Sequence, residues 1–266
     1  MTDQERLRKE APGFGLGVTV EVLSGGTEEP TVVLLHGVHG TANLEETNKY
    51  GVLARLLHRE GLNVAVIETG RLRRDPESFD DRSAWAREAF AGKSYGDDLE
   101  DVLSGLEVLR QVRRGGPFWL WGFSLGGIHA VMIAGGSARR LLDARGRQWP
   151  LKGALPLDGI ALSGSGIRGR DELGGEFFSL PILDSLPPEE LLADGARKTT
   201  LRRALAFYGS LDGTFSEEAC RKLLETLGAR QKEFHRLEGV DHAFRTVDGE
   251  PSQKPLEAMV RKLLPL

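Results

Sequence analysis

With 266 residues, 40% of them hydrophobic and 28% charged, the chain is long enough to bury a large core and falls near the range of single α/β domains. Its formal net charge of -4, from 35 Lys and Arg against 39 Asp and Glu, excludes a basic nucleic-acid binder, and no stretch reaches the roughly 18 apolar residues of a membrane span. The single cysteine, Cys220, excludes an internal disulfide, and the charged start, Met1 to Pro12, lacks the apolar core of a secretory signal, so a single cytoplasmic domain over 1–266 is expected.

Residues 1–15 read as a polar lead-in to a glycine-rich turn. Val18, Val20 and Val22 alternate with Thr19 and Glu21, the period of a half-buried strand. Thr31 to Leu35 is a continuous apolar run, as in a strand covered on both faces, and it enters the loop His36-Gly37-Val38-His39-Gly40-Thr41. A helix is expected over about 44–60, with Tyr50, Leu53, Ala54 and Leu57 on one face and Gly61 as its stop. Leu62 to Ile67 is the next buried strand. From Glu68 to Ser94 the chain carries Arg71, Arg73, Arg74 and Arg82 among Asp75, Glu77, Asp80 and Asp81. These charges nearly cancel, so a solvated loop-and-helix connection is expected. Tyr95 to Arg114 reads as a helix, with Leu99, Val102, Leu103 and Leu106 at helical spacing. Asp97 and Asp98 stand in its first turn and Arg110, Arg113 and Arg114 near its end, which suits the helix dipole.

Trp119 to His129 then reads as a short buried strand, a glycine-flanked serine and an apolar helix. The pattern Gly122-Phe123-Ser124-Leu125-Gly126 puts Ser124 on a sharp strand-to-helix turn with its hydroxyl exposed. The helix through Ile128 to Ala134 is apolar nearly all round, as expected of one sandwiched against a sheet. Gly159 to Ser163 is a further buried strand. At about 164–200 the composition shifts to Gly, Pro and Leu, with Pro188 suited to open a short helix. Ala204 to Tyr208 is a strand, and Ser216 caps a helix to about Leu227 in which Cys220 is a packing residue. Glu233 to Leu237 reads as a polar edge strand, and Leu256, Met259, Val260 and Leu263 mark a final amphipathic helix.

Strands alternating with helices imply a doubly wound, mostly parallel α/β sheet with helices on both faces. Chemistry in such sheets sits beyond the carboxyl ends of the strands, where the His36–Gly40 loop, Ser124, Asp212 and His242 all fall. Ser124 needs a base, because an alkyl hydroxyl is a poor nucleophile at its free pKa. Among the six histidines, His36 and His39 lie in the first strand-end loop. His58 and His129 lie in helices, and His235 in a strand. His242, in the loop before the last helix, can reach over the sheet and is the base candidate. Its acid is expected to be Asp212, directly after the penultimate strand. Asp241 suits a turn, and Asp158 precedes its strand, at the wrong end of the sheet.

In these residues the chain resembles the α/β-hydrolase superfamily over nearly its whole length. The matching segments are Leu35-His36-Gly37, Gly122 to Gly127, Gly209-Ser210-Leu211-Asp212 and Gly239-Val240-Asp241-His242, in the order Ser, Asp, His. The resemblance implies an oxyanion hole built from the backbone N–H groups of Val38 and Leu125, and a cap insert at about 164–200. Phe177, Phe178, Leu180, Ile182 and Leu183 of that insert would either line an acyl pocket or pack down on the body. One strand only is clear before Thr31, so a shortened leading hairpin is expected. The implied activity is that of a serine hydrolase acting on a small-molecule carboxylic ester or thioester, with no metal or organic cofactor. The alternatives are amide, peptide or carbon–carbon cleavage by the same triad, or a non-catalytic binding module.

Overall fold

The computed structural model describes residues 6–26, 28–38, 40–112, 116–167, 180–246 and 253–266, apart from the side chain of Arg82. The apolar runs become the central strands of one sheet: β3 (Thr31–Leu35), β4 (Asn63–Glu68), β5 (Phe118–Phe123) and β6 (Leu157–Ser163). Successive side chains leave a strand on opposite faces, so Val33 and Leu35 enter one core while Val32 and Leu34 enter the other. Parallel pairing continues into β7 (Leu201–Leu211) and β8 (Ala229–Asp241). At the opposite edge β1 (Arg6–Ala11) and β2 (Val18–Leu23) run antiparallel, giving the order β1-β2-β4-β3-β5-β6-β7-β8.

Helices α1 (Lys49–Arg59) and α9 (Lys254–Leu263) cover one face. The other face carries α2 (Arg82–Ala89), α3 (Tyr95–Val112), α4 (Leu125–Ala134), α5 (Ser137–Ala144), α6 (Pro181–Asp184), α7 (Glu189–Lys198) and α8 (Glu217–Thr226). Every residue of α4 from Leu125 to Ile133 is buried, as its all-round apolar sequence requires. Among the described residues no helix is long and apolar enough to cross a membrane.

Several expectations need correction. The leading hairpin is complete, since β1 pairs with β2 from Arg6↔Leu23 to Ala11↔Val18. An edge strand with mostly exposed side chains shows no apolar period, so Arg6–Ala11 carried no strand signal. The β2 strand is buried on both faces, because Glu21 accepts the Leu44 N–H at 2.8 Å and pairs with Arg6 at 2.7 Å. The Glu68–Ser94 connection is not uniformly solvated, for Arg71, Trp85, Phe90 and Lys93 have no exposed surface. Helix α5 lies outside every element read from the sequence. Of the insert, Leu180, Ile182 and Leu192 are buried in the body's core, and Leu183 packs against it. That part packs down on the body, whereas Phe177 and Phe178 lie outside the described residues. Cys220 is buried in α8, where burial pushes its thiol up to about 12.

Candidate active site

Ser124 joins β5 to α4 with φ 51° and ψ -117°, a backbone region disfavoured for any residue with a side chain. Such a conformation costs on the order of 1–3 kcal/mol and persists only where its surroundings enforce it. The enforcement here is specific. Ser124 N–H donates to the Ser163 carbonyl at 2.8 Å, while the Ser124 carbonyl accepts from Ser165 Oγ at 2.8 Å and from Gly127 N–H at 3.0 Å. A Cβ on Gly126 would lie 2.3 Å from the Leu35 carbonyl oxygen, so only glycine lets α4 start this close to β3. Ser163 is fixed in turn by Trp121 Nε1, which donates to its Oγ at 2.8 Å. Sequence reasoning missed Ser165, whose only signal is its position just past the carboxyl end of a buried strand.

Asp212, 1% exposed, follows the body of β7. Its Oδ1 accepts the N–H groups of Thr214 at 2.7 Å and Phe215 at 2.9 Å, and its Oδ2 lies 2.8 Å from His242 Nδ1. With both oxygens acting as acceptors, the carboxylate fixes the proton on Nδ1 and leaves Nε2 as the basic atom. The His242 side chain keeps 28% of its surface exposed, with the Phe215 ring 5.9 Å away. Gly164, at φ +55°, is pressed against this pair, since a Cβ there would lie 3.0 Å from His242 Nδ1 and 3.1 Å from Asp212 Oδ2. The carbonyl holding Ser124 belongs to Ser163, the residue before. Elbow and Asp–His pair therefore flank the same peptide unit.

Gly37 abuts the elbow, with a Cβ on it falling 3.1 Å from Ser124 Cβ. Val38, the next residue, is buried, and Leu125 opens α4, where its N–H has no acceptor within the helix. His36 is an anchor for this loop. Its Nε2 accepts from Thr69 N–H at 3.1 Å, so Nδ1 carries the proton and donates to the Gly37 carbonyl at 2.8 Å. Burial, with the Arg71 charge beside it, holds His36 down at about 3, and burial lowers His129 to about 4 against the pull of Asp98. Both side chains are neutral in the folded protein at pH 7. The unfolded chain takes up their protons below about 6.5 while the folded chain refuses them, so stability present above that pH is lost as pH falls towards 4. Each contributes a slope of up to about 1.4 kcal/mol per pH unit in that window. Urea midpoints between pH 7 and pH 4.5 should fall accordingly, and His129→Gln should reduce the slope. An unchanged slope would contradict this account.

The remaining expected residues lie elsewhere. Asp241 caps its own turn, accepting from Arg245 N–H at 2.8 Å and Arg245 Nε at 3.0 Å. Asp158 pairs with Arg202 at 2.8 Å, at the far end of the sheet. His129 is buried in α4, stacked on Tyr95 with centroids 4.9 Å apart. His58 lies near the end of α1, with Nδ1 3.3 Å from the Leu62 carbonyl. His235 stacks on Phe207 in β8, and His39 lies outside the described residues. Among the described residues no three His, Cys, Asp or Glu side chains converge to hold a metal ion.

No protein-family model and no curated protein sequence matches the chain. Solved structures do. Est1E from Butyrivibrio proteoclasticus superposes with a TM-score of 0.63 at 12% identity, covering 97% of each chain. A dienelactone hydrolase from Anabaena variabilis gives 0.59 at 13% identity over 97% of this chain and 95% of that one. The esterase domain of a Rhodothermus marinus protein gives 0.59 at 17% identity with the same coverage. At such identities the likeness speaks for architecture, and the architecture of this chain is the α/β-hydrolase fold.

Proposed function

We propose that the chain is a serine hydrolase that cleaves a small-molecule carboxylic ester or thioester through an acyl-enzyme. Ser124 Oγ attacks the acyl carbon while His242 Nε2 takes its proton, and Asp212 holds the imidazole in the required tautomer. The tetrahedral oxyanion forms against the N–H groups of Val38 and Leu125. Its collapse expels the alcohol or thiol, which receives the proton from His242. Water then attacks the acyl-enzyme with His242 again as base; the second tetrahedral intermediate collapses, Ser124 Oγ recovers the proton from His242, and the acid is released. The observation that carries this reading is the Asp212–His242 hydrogen bond, with the other Asp212 oxygen already occupied, against the same Gly164 peptide that anchors Ser124. The esterase and dienelactone hydrolase names borne by structures of the same fold add support.

A panel of p-nitrophenyl esters of graded acyl length, run beside fluorophosphonate labelling, tests the proposal. Labelling with turnover on at least one ester is expected. Each methylene that the site removes from water should raise kcat/KM, by up to about fourfold where roughly 0.8 kcal/mol is realised. Labelling without turnover on any ester would transfer the proposal to amide or carbon–carbon cleavage. Folded protein that does not label would favour a binding module.

A further inference from the structure

We infer that Arg71 is a positioning residue that sets the oxyanion loop. The inference rests on the hydrolase reading above and extends it to a residue that does not touch substrate. The turn carrying Val38 begins at His36 and closes at Gly40, whose N–H donates to the Gly37 carbonyl at 3.0 Å. Both ends of this turn are tied to the same three residues past β4. Thr69 N–H holds the His36 ring at 3.1 Å, and Arg71 donates from one terminal nitrogen to the Gly40 carbonyl at 3.1 Å. That nitrogen also lies 3.5 Å from His36 Nε2 and 3.5 Å from Glu68 Oε1.

The Thr69–Arg71 segment is itself held rigidly. Gly70 N–H donates to Asp101 Oδ2 at 2.9 Å, the Arg71 carbonyl accepts from Leu16 N–H at 2.9 Å, and Leu72 N–H donates to the Ala89 carbonyl at 2.9 Å. The Lys93 ammonium, with no exposed surface, bonds to the Gly70 carbonyl and lies 2.5 Å from Asp98 and 2.9 Å from Asp101. The Arg71 guanidinium is equally buried, 5.5 Å from the Trp85 ring centroid and 5.2 Å from that of Phe90.

Burying a guanidinium is costly until its partners compensate, and an apolar side chain of similar volume is often as stable or more so. Filling the gap between two aromatic rings therefore asks only for a residue such as methionine. Holding the Gly40 carbonyl, and with it the end of the turn that carries Val38, asks for a donor with fixed geometry. Oxyanion donors act only when aimed at the point where charge develops, so a displaced loop should slow chemistry more than it weakens substrate binding.

The experiment compares wild type with Arg71→Met, Arg71→Lys and the double variant Arg71→Met/Glu68→Gln, which leaves no carboxylate without its guanidinium. Sites are counted by exhaustive fluorophosphonate labelling, and kcat and KM are read on the best ester of the panel. The double variant should lower kcat per labelled site by about a hundredfold with KM nearly unchanged and the melting temperature maintained, whereas Arg71→Met alone should show the same kcat loss with a lowered melting temperature, because it strands the Glu68 carboxylate. Arg71→Lys, which restores the charge and a donor, should recover part of that loss. Wild-type kcat per labelled site in the Met variants would overturn the inference and leave Arg71 a space-filling residue. So would failure of all three variants to fold, since Arg71 would then serve the fold. Wild-type protein that neither labels nor turns over would instead defeat the hydrolase reading on which the inference stands.

Discussion

Ser124→Ala should lower kcat/KM by about a millionfold, because the nucleophile, base and acid act as a unit and the loss of one member forfeits nearly the whole effect. Stability should be nearly unchanged. The interactions that hold the elbow are made by the backbone of residue 124, through its N–H to Ser163 and its carbonyl to Ser165 and Gly127, and alanine retains all three. Alanine also inherits the same strain at φ 51°, so urea midpoints should differ from wild type by no more than about 0.5 kcal/mol equivalent. Wild-type turnover in this variant would remove Ser124 from the chemistry.

Asp212→Asn should depress kcat by about ten-thousandfold with the fold retained. The direction follows from the hydrogen bonds around the carboxylate. Two backbone N–H groups, from Thr214 and Phe215, donate to Oδ1 and require an acceptor oxygen there. The amide nitrogen of asparagine must then occupy the Oδ2 position, 2.8 Å from His242 Nδ1, and donate to it. That drives the imidazole proton to Nε2, the atom that should receive the proton of Ser124. Asp241→Asn should be nearly silent, since its partners lie within its own turn around Arg245. Comparing kcat of the two variants on one ester decides between them. A silent Asp212→Asn beside a damaging Asp241→Asn would reverse the assignment of the acid.

The parts of the molecule legible in the sequence share one physical trait: their signal is local. Thr31–Leu35 and Phe118–Phe123 are continuous apolar runs because both of their faces are covered, and Ser124 stands between glycines that permit close approach of β3, β5 and α4. Asp212 could be singled out because it directly follows a strand and His242 because it lies in the loop before the last helix, and the two side chains are hydrogen-bonded. What stayed hidden depends on partners distant in the chain. Arg6–Ala11 is polar because it is an edge, and only the register against Val18–Leu23 makes it a strand. Arg71 and Lys93 read as solvated charges because a charge count does not reveal Asp98, Asp101 and Glu68 closing around them. Burial is the largest single influence on Asp98 and would raise it, yet the groups around it, the Lys93 ammonium first among them, together hold that carboxyl below the usual carboxylate range. Ser165 is a common residue in a glycine-rich stretch, and it is its burial and its hydrogen bond to the Ser124 carbonyl that distinguish it from a surface loop serine.

The most direct measurement is the site of covalent modification. Folded wild-type protein is treated with a fluorophosphonate, digested, and the labelled peptide sequenced by mass spectrometry. The geometry predicts a single adduct on the peptide that contains Ser124, no adduct in Ser124→Ala, and slowed labelling in Asp212→Asn. An adduct on another serine, or folded wild-type protein that takes no label, would contradict the claim that Ser124 is the nucleophile of this fold.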